Sequence, residues 1–341
     1  MIMDLFTNAF RSGPLVLALL LSIDVGAAAP QQDEVTDLPL PWAYGMPRDG
    51  STPPQPACVR PKDDGTLRHL PDSGAAFTLT QISDCFGPAD WFPEDHPAMP
   101  HVVSHGRKPD VNACGLCHYP NGKGRPENAG ISGLPVAYIM QQLNDFKNGV
   151  RKSAEPRKAN TNRMINFAKA MSDEEIKAAA EYFAAMKWTP WIKVIETTDV
   201  PKTRVVAGLF LPLVGSATEP LGQRVIEVPV NVEETETLRN PRSSFVAYAP
   251  VGSIKRGREL VSTGGGGKTI PCGICHGVKL EGIGPVPPLG GRSPSYAARQ
   301  MYDIQRGTRN GISAQLMKQV VANLTPDDMV AISAYLASMA P

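Results

Sequence analysis

Four of the six cysteines in this 341-residue chain fall in two short strings, Cys114-Gly115-Leu116-Cys117-His118 and Cys272-Gly273-Ile274-Cys275-His276. Thiols at i and i+3 stand about one helical turn apart, a spacing that lets both bond covalently to the two vinyl groups of a single haem. The histidine after each second thiol then lies under the iron as its proximal ligand. Two other chemistries use paired cysteines. A redox dithiol wants one such motif in a βαβ setting and leaves the histidine accidental, and a zinc site would have to join two motifs far apart in the chain. Two copies, each with its histidine, favour haem. The chain is therefore expected to carry two covalently bound haem c groups on Cys114, Cys117, Cys272 and Cys275, with His118 and His276 as axial ligands to iron.

The elements that position these residues also repeat. The motifs are offset by 272 − 114 = 158, and the same offset aligns Gly133 with Gly291, Tyr138 with Tyr296 and Gln142 with Gln300. It also aligns Asp145 with Asp303, Gly149 with Gly307 and Arg151 with Arg309. Farther on the offset becomes 335 − 182 = 153, matching Ser172 with Thr325, Tyr182 with Tyr335 and Met186 with Met339. A duplicated domain with one five-residue length difference accounts for both. Ile139, Leu143 and Phe146 recur at helical spacing, as do Ala297, Met301 and Ile304, and Gly149 and Gly307 stop these helices. The closing helices open with Ser172-Asp173-Glu174-Glu175, a capping box, and Thr325-Pro326-Asp327-Asp328, a cap followed by proline at the first helical position. Ile176, Phe183, Met329 and Leu336 are expected to face inward.

A haem that shuttles electrons without binding substrate needs a second axial ligand, and methionine is the common one in cytochromes c. Met164 and Met317 each stand eight residues before a closing-helix cap, in what reads as a loop. They are the expected second axial ligands. The other reading is that methionines fill core gaps, which suits Met140, Met186, Met301, Met329 and Met339. Met171 is a rival in the first repeat, where the segment before the cap is longer and very basic.

This arrangement resembles the class I c-type cytochromes, especially their tandem di-haem members. The residues that carry the likeness are Leu289-Gly290-Gly291 with Tyr296, Met317 and Tyr335-Leu336. In the first repeat they are Ile131-Ser132-Gly133 with Tyr138, Met164 and Tyr182-Phe183. The resemblance covers roughly residues 97–188 and 252–341. It implies that a proline carbonyl near Pro287 or Pro288 accepts a hydrogen bond from His276. The first repeat has Ala129 where the second has Pro287, so the resemblance gives His118 no proline acceptor.

The expected fold is mainly α: two class I cytochrome c domains, each a few short helices around a haem, at 97–188 and 252–341. Residues 30–96 read as a proline-rich extended segment, in keeping with 33 prolines in the chain, and 189–251 as a β-containing strap that packs on both domains. The many β-branched and aromatic residues of 189–251 argue against a disordered tether. Arg11, the apolar run 15–23 and the small residues 26–29 have the order of a secretion signal over 1–29. The run is shorter than the ~20 residues a membrane-spanning helix needs, so no stable span is expected after cleavage, although an uncleaved anchor remains the other reading. The implied compartment is an oxidising one, a bacterial periplasm.

There, the two remaining cysteines, Cys58 and Cys85, are expected to form a disulfide. Resemblance to di-haem thiosulfate dehydrogenases offers a second role for one of them, as an axial ligand. His69, His96, His101 and His105 are read as ordinary surface histidines rather than a third metal site. With 34 basic against 33 acidic residues, nothing draws the chain to nucleic acid. The expected function is single-electron transfer from a periplasmic donor, a dehydrogenase for example, toward a terminal oxidase or another cytochrome. The alternative is an oxidoreductase enzyme, peroxidase-like or thiosulfate-dehydrogenase-like, with one open or displaceable haem ligand.

Overall fold

The computed structural model describes residues 40–47, 51, 62–215 and 217–341. The expected leader over 1–29, most of 30–61 and with it Cys58 lie outside the described residues.

Both repeats run through the same helices in the same order. A single turn holds each motif, Cys114–His118 and Gly273–His276. A long helix follows, Val136–Lys147 or Pro294–Gln305, and each closes on Asp173–Ala184 or Pro326–Ser338. The closing helices start where their sequences say. Ser172 and Glu175 form a reciprocal capping box, and Thr325 with Asp328 forms the other, each satisfying donors that a helix N-terminus leaves open. Gly149 and Gly307, at φ +70° and +73°, take the left-handed turn that ends the long helices. Ile176, Phe183, Met329 and Leu336 are all buried.

The duplication extends to individual hydrogen bonds. Gly124 N–H donates to the His118 carbonyl as Gly282 N–H does to that of His276, at 2.8 and 2.7 Å. Gly133 N–H reaches the Phe183 carbonyl as Gly291 N–H reaches that of Leu336, at 3.0 and 2.9 Å.

Two features differ from the sequence reading. Met164 and Met317 stand on helices, Ala159–Ala170 and Gln315–Val321, rather than in loops. The first of these begins with Asn, Thr and Asn, which favour turns and caps over helix interiors. Packing decides otherwise: Ala168 is fully buried and Met164 and Ile165 lie against the core of the repeat, and tertiary burial stabilises a helix that propensity alone does not. The N-terminal region is also less extended than its prolines suggest, with short turns at Pro41–Tyr44, Leu79–Ile82 and Pro93–Asp95. Proline takes the first position of the outer two, where it sacrifices no helical hydrogen bond.

The repeats are unequal at their start. The second opens with a full helix, Ser253–Thr263, where the first has only one turn, His101–Ser104. That opening helix crosses the closing helix at Gly257, where an added Cβ would fall 2.0 Å from the Ala331 carbonyl oxygen. Only glycine permits so close a crossing, because any side chain there would have to push the helices apart.

Residues between the repeats form a three-stranded sheet, Ile192–Glu196, Phe245–Ala249 and Ile226–Pro229 in spatial order. The central strand pairs parallel with the first and antiparallel with the third. Ile226, Val228, Ala247 and Ala249 join Leu260, Met301 and Leu336 in one core, which also takes in Leu40, Trp42 and Tyr44 from the N-terminal segment. Trp188 and Trp191 meet edge to face at 5.9 Å. Trp191 donates to the Gly291 carbonyl, while Arg292 of the second repeat stacks on Trp188 and donates to the carbonyls of Gly130 and Ser132 in the first.

The repeats also touch each other directly, through equivalent residues. Arg151 and Arg309 form an antiparallel bridge. Arg151 donates to Tyr296 and Gln300 of the second repeat, and Arg309 to Tyr138 and Gln142 of the first. Because Tyr138 and Gln142 are the counterparts of Tyr296 and Gln300, the exchange is reciprocal, as in a two-fold interface folded into one chain.

Candidate functional site

In the first repeat Cys114, Cys117, His118 and Met164 all line one cavity of about 160 Å³. Ile131, Leu134, Ile139, Leu143, Phe146 and Phe183 supply the apolar part of its wall. The motif turn stops at Tyr119, whose φ of +62° turns the chain away after His118.

Both motif histidines are fixed in the same way. Nδ1 of His118 lies 2.8 Å from the Ala129 carbonyl, and Nδ1 of His276 lies 2.8 Å from that of Pro287. A carbonyl only accepts, so Nδ1 carries the proton and Nε2 presents its lone pair. Burial holds both imidazoles below their ordinary pKa, which keeps them neutral at pH 7. Ala129 thus fills the place of Pro287 without loss, since the acceptor is backbone and indifferent to the side chain.

The motif thiols point the same way. Burial pushes Cys114 up to about 12 and Cys272 up to about 11, and raises Cys117 as well. A working redox dithiol needs a lowered thiol pKa, so these are poor dithiols but sound anchors. Cys85 is disulfide-bonded, and none of the four motif cysteines takes part in a disulfide. Among the described residues no group of three or more His, Cys, Asp and Glu side chains is placed to hold a metal ion. His101 and His105 stack on each other, and His96 pairs with Asp90 at 3.1 Å.

Met171 lines the same cavity as Met164. Its counterpart at the 153 offset is Leu324, buried at the same point before the cap. Leucine cannot bind iron, whereas the counterpart of Met164 is Met317. In the second repeat Met317, Cys272 and Leu289 pack on the core together.

Arg151, Lys158, Arg163, Arg299 and Glu127 also line the first cavity; the basic segment before the first closing cap was legible in the sequence, but Arg299, from the other repeat, was not. A haem carries two acidic propionates. A cavity lined by apolar side chains, two thiols, a neutral imidazole, a thioether and several cations fits that group. The faces around the two motifs differ in exposure. Over the first, Arg239 donates to the Leu116 carbonyl, Asn121 donates to that of Pro241, and Arg239 stacks on Tyr119. Around the second, Cys275 is exposed, with Ile274 and Val278 at 66% and 95%. Among the described residues no helix is long and apolar enough to cross a membrane.

The sequence matches the family model described as cytochrome c over residues 105–187 and again over 254–340. Among known proteins it is similar to the thiosulfate dehydrogenase electron acceptor of Stutzerimonas stutzeri (strain A1501), 25% identical over 239 residues that cover 69% of this chain and 82% of the relative. It is similar to cytochrome c4 of Azotobacter vinelandii, 26% identical over 229 residues, 65% of this chain and 82% of that one. It is also similar to cytochrome c-554(548) of Halomonas halodenitrificans (strain ATCC 12084 / NCIMB 8669), 34% identical over 68 residues, 20% of this chain and 82% of the relative.

Proposed function

The chain belongs to the cytochrome c family, with two haem c groups, and from that premise we propose that it is a periplasmic carrier passing single electrons from a dehydrogenase to a terminal oxidase or another cytochrome. Bound haem supplies a one-electron iron couple at each site. Cys114, Cys117, Cys272 and Cys275 would anchor it, and His118, His276, Met164 and Met317 would ligate its irons. The observation that carries this reading is the single cavity that brings Cys114, Cys117, His118 and Met164 together. Tyr296 and Gln300 of the second repeat line it too, which supports electron exchange between the repeats. A relative named as the electron acceptor of thiosulfate dehydrogenase supports a dehydrogenase as donor. The exposed motif face of the second repeat is where partner proteins approach.

If both irons are closed, the ferric protein shows the weak red-edge band of methionine-ligated iron at two-site intensity and binds cyanide only slowly. Immediate cyanide binding at one haem, or rapid turnover of peroxide or thiosulfate, would instead establish the oxidoreductase enzyme with an open or displaceable ligand.

The domains proposed are those read from sequence: a signal over 1–29, an N-terminal segment over 30–96, haem domains over 97–188 and 252–341, and a strap over 189–251. Cys58 is proposed as the partner of Cys85. Alkylation of the unreduced, denatured protein should then label neither, and a labelled Cys58 counts against the pair.

A further inference from the structure

The first haem site contains two buried cations that make no direct ion pair among the described residues, and they come from different repeats. Lys158, 5% exposed, lines the cavity, and its ammonium has no hydrogen-bond or ion-pair partner among the described residues. Arg299 belongs to the second repeat, is also 5% exposed, and lines the cavity of the first. Its two terminal nitrogens donate to backbone carbonyls, of Ala43 at 2.5 Å and Pro126 at 3.0 Å. A buried cation without a counter-charge is costly. The strain on Lys158 is visible: burial first, and Arg299 second, push it down to about 7. Glu127, the acid in the same wall, opposes this push only in part, since Arg125 holds its Oε1 at 2.7 Å. An anion belongs beside Lys158 and Arg299.

The second site does not repeat the arrangement. The counterpart of Arg299 is Gln141, and that of Lys158, counted from the methionines, is Gly311. Gln141 donates to Asp145 at 2.8 Å, and Gly311 sits so close to that carboxylate that an added Cβ would lie 2.0 Å from it. The cations of one site are thus replaced by a neutral and a small residue at the other, while the acid is kept in both, as Asp303 and Asp145. The N-terminal segment explains how Arg299 is aimed. Leu40, Trp42 and Tyr44 are buried in the second core, Tyr44 donates to Asp303 at 2.7 Å, and the Ala43 carbonyl between them receives Arg299.

We propose that Lys158 and Arg299 hold the propionates of the first haem, one cation from each repeat, and that the segment Leu40–Met46 seats Arg299 for this task. The assignment rests on the haem reading of the first cavity. A cation beside the haem favours the reduced iron, which carries one positive charge fewer.

Arg299→Gln and Lys158→Gln, made singly in the full-length exported protein, test it by optical redox titration that resolves the two one-electron steps. Each variant should retain two attached haems and shift one and the same step to lower potential. The ferrous-to-ferric ratio at fixed ambient potential should fall about tenfold, or 59 mV for a one-electron couple, with the other step moved far less. Tyr44→Phe, which loosens only the seat, should shift that step in the same direction by less. Unchanged steps in both cation variants, or equal shifts of both steps, overturn the assignment. A wild-type protein with fewer than two attached haems would overturn the haem reading instead.

Discussion

Replacing Cys272 and Cys275 together with alanine should leave one covalently attached haem per chain after acid-acetone extraction and abolish reduction by the partner protein. The equivalent pair, Cys114→Ala with Cys117→Ala, should also leave one haem but preserve that reduction. The halved count follows from the spacing: each motif turn offers two thiols to one haem, and with neither present only noncovalent contacts hold it. The unequal kinetics follow from exposure. The second motif face has Ile274 and Val278 in solvent, while the first lies under Arg239 and Pro241. Electron transfer requires close approach, so on the proposed function a partner should reach the second haem directly and the first only through it. Haem staining of denatured protein reads the count, and stopped-flow reduction by the partner reads the access. Two haems retained in the Cys272/Cys275 variant would remove the motif from the attachment chemistry, and equal loss of reduction in both variants would remove the second repeat from its role as port.

The attachment residues and the duplication were legible because covalent chemistry imposes a local spacing, and a local spacing survives as text. Cap residues were legible for the same reason: Ser172 and Thr325 act on donors three residues away. What lay beyond sequence was whatever depended on backbone groups or on distant chain. Ala129 gives no sign of being the acceptor for His118, since its contribution is a carbonyl every residue has. Arg151 and Arg309 could be aligned as equivalents, yet nothing in the alignment says that equivalents face each other across an interface. The helix bearing Met164 was hidden by its Asn-Thr-Asn start, because its stability comes from packing rather than propensity. Strands of four or five residues, one pairing parallel across a long separation, likewise leave little periodicity to read.

Met317→Ala should remove about half of the red-edge band, convert one haem from slow to immediate cyanide binding, and leave both haems attached. Met164→Ala should do the same to the other half. Cyanide meets a closed iron only after the thioether leaves, so its rate in the wild-type protein is limited by that departure; without the sulfur, entry of the ligand is all that remains. Attachment is unaffected because the cysteines, not the axial ligand, hold the haem. Stability should also fall, by about 2–5 kcal/mol for truncating a buried methionine to alanine, less here because both side chains are only partly buried. Met171→Ala is the control. It lines the same cavity and is 5% exposed, so it should cost at least as much stability as either variant while leaving the band and the slow cyanide rate intact. If Met171→Ala is the variant that loses half the band, the rival ligates the first iron. The match between Leu324 and Met171 would then mark a true difference between the repeats rather than a shared core position.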